Sequence, residues 1–143
     1  QSMQPLESKD IQLLTQLGFM AAARGDTARS QRIFDALALL RPHQAFAHIG
    51  IACAWMNAGK ASQAVHHLSR VHLPAGDEAD ILDAFYALAL QLAGHMHQST
   101  TLLQQLVQRT AECPESSARR MALSMLGQLP SPCNRTLYPQ GPL

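Results

Sequence analysis

The chain has 143 residues, enough for one domain whose core needs no disulfide or metal staple. Only 5% of it is aromatic, and Ala, Leu and Gln recur throughout, which selects an all-α class over strands. Eleven Lys and Arg against ten Asp and Glu leave a formal charge of +1, with the arginines scattered from Arg24 to Arg135, so neither a steering field nor a phosphate-tracking patch is available for nucleic acid.

In chain order, a polar N-terminus over residues 1–9 reads as disordered, with Met3 as a natural start. Helices follow near 10–24, 27–40, 45–58, 61–72, 78–93 and 97–110, and a seventh over 115–127 gathers Ala118, Met121, Ala122, Met125 and Leu126 on one face. Asp26 and Asp77 stand where N-caps are needed. The helical domain spans 10–128, and residues 129–143, rich in proline, form an extended tail. No run is long and apolar enough for a membrane span. Three widely spaced cysteines, one of them within an apolar helix, argue against a disulfide framework and fit a reducing cytoplasm.

Three glycines recur in equivalent settings, Gly25, Gly59 and Gly94, separated by 34 and 35 residues. Each closes one apolar-periodic run and precedes a shorter one, as a C′ glycine does between two helices. Aligned on them, the first helices carry a large residue followed by a small one: Leu17-Gly18, Ile51-Ala52 and Tyr86-Ala87. Ala21, Trp55 and Leu90 come next, and in the second helices Ser30, Ala64 and Ser99 precede Phe34, Leu68 and Leu103. Pro42 closes the first unit, Pro74 falls early in the second, and the third has no proline at that place. The units cover about 11–44, 45–78 and 80–113.

This pattern resembles the tetratricopeptide (TPR) repeat over about residues 11–111, with Ala52 and Ala87 departing from the family's paired glycine. The resemblance implies a right-handed stack of three helical hairpins with a C-terminal capping helix, whose first helices line a concave face. Phe46, Ile49, Cys53 and Met56 are spaced by three, four and three, which makes one apolar stripe on the second unit's first helix. The same register puts Thr15, Phe19 and Ala22 on one side of it and Ala84, Leu88 and Gln91 on the other. Such a lining suits an amphipathic helix or extended segment of a client protein, unless the seventh helix or the tail fills the groove.

TPR domains that clamp acidic chaperone termini use Lys, Arg and Asn on this face, where this chain has Phe19, Ile49, Cys53 and Leu88. Short length and an apolar groove instead resemble the TPR chaperones of bacterial type III secretion, and the stretch from Leu13 to Leu73 is similar to the small export-apparatus chaperones among them. That resemblance implies a cytoplasmic, non-enzymatic protein that keeps a secreted client soluble before export; the competing reading is an adaptor subunit of an envelope or pilus assembly. An apolar groove also implies a homodimer in the unbound protein.

Catalysis and metal binding lack a sequence signal. No two of the seven histidines stand three or four apart, so neither a metal pair on one helix nor any cofactor motif is evident. The acids Asp10, Asp26, Asp77, Glu78 and Asp80 fall at helix starts or turns, where capping accounts for them. Asp83 lies inside a helix, exposed or facing a cation on the client.

Overall fold

The structure, a computed structural model, describes residues 7–127. Among them the chain forms seven helices and no strand: α1 (Ser8–Ala23), α2 (Thr27–Leu40), α3 (Phe46–Asn57), α4 (Ala61–Ser69), α5 (Asp77–Leu92), α6 (Met96–Arg109) and α7 (Ser117–Met125). The all-α class is therefore correct, and each expected helix is present within a few residues of its expected ends. The tail over 129–143 and most of the polar N-terminus lie outside the described residues.

Most boundaries differ by one to three residues, and α4 ends at Ser69 rather than 72; three of the helix starts have identifiable local causes. Helix α1 begins inside the stretch expected to be disordered, where the Glu7 amide donates to Asp10 Oδ2 at 3.2 Å and ties down the first turn. Asp77 is not a cap: Gly76 occupies that position and Asp77 is the first helical residue, adding with Glu78 and Asp80 to an acidic first turn that complements the helix dipole. Helix α7 starts at Ser117 rather than 115 because Ser116 Oγ accepts from the Arg119 amide at 3.1 Å. Asp26 caps α2 as expected, its Oδ1 accepting from the Arg29 amide at 3.1 Å.

The repeat is visible at the level of single hydrogen bonds. Gly25, Gly59 and Gly94 adopt φ of 73°, 77° and 92°, a region unfavourable for any side chain. Past each of them the chain closes the helix in the same way, the amides of Asp26, Lys60 and His95 donating to the carbonyls of Ala21, Trp55 and Leu90 at 2.9, 2.8 and 2.8 Å. This six-residue closure satisfies carbonyls that the helix end would otherwise leave without partners.

Consecutive helices pack on one another, and the odd-numbered helices also pack in series, α1 on α3, α3 on α5 and α5 on α7. The even-numbered helices do not approach each other in this way. Three apolar clusters follow this order: Ile11, Phe34, Leu37, Ala47 and Ile51 join α1, α2 and α3; Ile49, Ala52, Ala64, Leu68 and Leu82 join α3, α4 and α5; Ala84, Leu103, Leu106, Ala118 and Ala122 join α5, α6 and α7. Between units, Asn57 Nδ2 donates to the Ala22 carbonyl at 3.0 Å, and the Ala45 amide, at the start of α3, donates to Glu78 Oε1 at 2.6 Å.

The tightest packing surrounds Phe34, which is fully buried. A Cβ added to Gly18 would lie 2.7 Å from its ring, and one added to Gly50 would lie 2.3 Å from it. In a helix, Gly→Ala ordinarily stabilises by about 1 kcal/mol. Gly50→Ala is expected to do the reverse, lowering stability by about 1–3 kcal/mol through overpacking, as read by urea denaturation; a stabilised variant would show that the ring has room to move.

The small residues of the second helices are equally buried, but they differ in their hydrogen bonds. Ser99 Oγ donates to the Ala87 carbonyl at 2.7 Å, whereas Ser30 Oγ is buried without a partner. Ser99→Ala should therefore cost about 1 kcal/mol in the same measurement, while Ser30→Ala should be neutral or stabilising.

Candidate functional site

The residues expected to line a groove are divided among different surroundings, and one of them, Ala22, is fully buried. Thr15 and Phe46 are brought together: with Ile11, Gln12 and Gln16 they line an open cleft of about 440 Å³ between α1 and α3. Thr15 is held there by its hydroxyl, which donates to the Ile11 carbonyl at 2.6 Å. Phe46 is half-buried against the cluster formed by α1, α2 and α3. The cleft therefore has an apolar floor of Ile11 and Phe46 with amide side chains at its rim.

Phe19 is half-buried and meets Phe34 edge to face, with ring centroids 4.9 Å apart, so its ring belongs largely to the packing of the first unit. Ile49 is buried in the central cluster, with Cys53 and Met56 half-buried against it. Burial pushes the Cys53 thiol above its ordinary pKa, which disfavours the thiolate. Ala84 is fully buried in the cluster that includes Ala118 and Ala122 of α7. The seventh helix thus occupies the surroundings of Ala84, while Leu88 and Gln91 remain half-buried on α5. Ile49 and Ala84 contribute to packing, and the accessible part of the expected lining is the cleft beside Thr15 and Phe46.

Asp83 finds its cation within the chain. Arg109 of α6 donates through Nη2 to Asp83 at 2.7 Å and through Nε to Asp80 at 2.9 Å, bridging α5 and α6. Both acids are consequently engaged in joining two helices.

One arrangement has no counterpart in the sequence reading. His48 of α3 and His67 of α4 meet with Nδ1 and Nε2 3.2 Å apart, close enough for one ring to donate to the other when both are neutral. They are 19 residues apart, so helical spacing within one segment could not reveal them. Among the described residues no three His, Cys, Asp or Glu side chains are grouped so as to hold a metal ion, and no helix is long and apolar enough to cross a membrane.

Desolvation lowers the pKa of both histidines, and mutual repulsion lowers that of His67 further, while Asp35 opposes the shift. Since the folded state favours the neutral rings, the unfolded chain binds protons first as pH falls. Their contribution is fully present above the ordinary value of 6.5 and is lost as pH falls through it toward the lowered folded values. Thermal unfolding should therefore occur at lower temperature at about pH 5 than at about pH 7.5. A His48→Gln/His67→Gln variant should show a flatter dependence over that interval, and an unchanged slope would exclude the pair as its source.

No protein-family model matches the sequence, and no curated protein or solved structure matches it either.

Proposed function

We propose that the chain is a TPR-like right-handed stack of three helical hairpins with α7 as its cap, and that it is a non-enzymatic peptide-binding chaperone. The observation that carries this reading is the threefold recurrence of the same turn closure at Gly25, Gly59 and Gly94, together with serial packing of the odd-numbered helices. A stack of this kind presents successive first helices side by side, and its product is a surface rather than a reaction centre. The cleft between α1 and α3 lies on two such helices.

The client is a secreted component of a bacterial type III system, held in the cytoplasm until export. Support for this comes from the resemblance of the Leu13 to Leu73 stretch and from the uncharged lining of the cleft, in which Ile11, Gln12, Thr15, Gln16 and Phe46 carry no ionised group. An apolar floor with amides at the rim suits a segment that inserts an apolar side chain while its backbone polar groups meet Gln12 and Gln16. The adaptor reading shares the same surface and differs in what it holds: an adaptor keeps a permanent partner, whereas a chaperone holds a client that is insoluble alone.

The test uses Gln16→Trp, a substitution at an exposed rim position that fills the cleft without touching the core. Pull-down from the native cytoplasm with wild type and with this variant, followed by mass spectrometry, should return a small secreted protein with wild type only. The captured client should precipitate when expressed alone. Equal capture by the variant would remove the cleft from the reading, and a partner soluble by itself would favour the adaptor.

A further inference from the structure

The largest exposed apolar feature on a single helix is not the expected groove. On α1, Leu13, Leu17 and Met20 are 56%, 44% and 53% exposed. Carried through the glycine register, these three correspond to Ala47, Ile51 and Ala54 on α3 and to Leu82, Tyr86 and Ala89 on α5. Those counterparts are covered: Ala47, Ile51 and Ala54 are at most 1% exposed, Leu82 and Ala89 are buried, and Tyr86 packs against the central cluster. In α3 the cover comes from α1 and α2, and in α5 from α3 and α4. The α1 stripe is thus a stacking face with no helix pair on it among the described residues.

The charges at its ends indicate what fits there. Asp10, Leu13, Leu17, Met20 and Arg24 follow one another at spacings of three, four, three and four, which places all five on one face. Asp10 and Arg24 stand seven residues to either side of Leu17, about 10 Å along the axis. Arg24 makes no ion pair among the described residues, and Asp10 uses one carboxylate oxygen for the Glu7 amide. A face with an anion at one end, a cation at the other and apolar side chains between them is complementary to itself when turned end for end.

We infer that a second copy of this chain docks on α1 antiparallel to it, about a two-fold axis at Leu17. Leu17 then meets Leu17 of the second copy, Leu13 lies beside its Met20, and Asp10 pairs with its Arg24 at both ends. A parallel arrangement would set Asp10 against Asp10 and Arg24 against Arg24. A single pair of helices buries less than the roughly 1,600 Å² of a standard interface, so the dimer depends on concentration. This inference goes beyond the client-binding reading and does not rest on it, since the cleft and the α1 stripe involve different side chains.

Sedimentation equilibrium of the full chain over a dilution series at low salt provides the test, with circular dichroism establishing that each variant is folded. Wild type should pass from dimer to monomer on dilution. Leu17→Glu sets two carboxylates together at the axis and should be monomeric throughout. Asp10→Arg and Arg24→Asp should each weaken association about five- to tenfold, because like charges then face each other. The double variant Asp10→Arg/Arg24→Asp restores opposite charges and should recover the wild-type constant. A wild type that is monomeric at every concentration would give the α1 face to a different protein and overturn the inference; so would a Leu17→Glu dimer, or a double variant as weak as the single ones.

Discussion

The ring of Phe34 occupies space that a side chain on Gly18 or on Gly50 would need, and much of the first half of the molecule is arranged around that constraint. With no Cβ on either glycine, α1 and α3 can both approach α2 closely enough to enclose the ring, leaving Phe34 fully buried. Phe19 then meets the ring edge to face from α1. The second and third units answer with smaller counterparts, Leu68 and Leu103, and tolerate Ala52 and Ala87 where the first unit has Gly18. The larger buried side chain of a second helix thus goes with a smaller residue on the first helix of its unit.

Equivalent positions do different work according to where they stand in the series. Ile51 is buried because α1 and α2 precede it, and Leu17, at the same place in its own helix, is exposed because no helix pair among the described residues covers it. At the other end α7 takes the place of a further unit, contributing Ala118 and Ala122 to the cluster that buries Ala84. The series of helices therefore has a covered interior and two unlike ends, and its first end leaves Leu13, Leu17 and Met20 exposed.

Polar side chains connect helices that the apolar clusters already bring together. Glu78 receives the Ala45 amide, one of those that a helix start leaves without a partner inside the helix, and so links the beginnings of α3 and α5. Arg109 joins α6 to two acids of α5, and Arg119 Nη1 of α7 donates to the Val107 carbonyl at 2.7 Å. The His48–His67 contact is of another kind, because it needs one ring nitrogen to remain an acceptor and is lost once both rings are protonated. It ties the junction of α3 and α4 to pH.

What the sequence determined by itself was local. Periodicity located seven helices, and glycine positions located the three equivalent turns, because a helix end and a left-handed residue are decided within a few residues of chain. It also placed Thr15 and Phe46 on the same side of their helices, where the cleft is found. Which side of an apolar helix is covered was a different matter. Helix α3 is apolar around most of its circumference, so spacing could not show that Ile49 is buried while Cys53 and Met56 are only half-buried. The covering of Ala84 by α7, the use of Asp83 by Arg109, the approach of Gly50 to Phe34 and the meeting of His48 with His67 all join residues distant along the chain. Only the tertiary structure decides such contacts, because they depend on which helix faces fill each other's space and not on the pattern within any one helix.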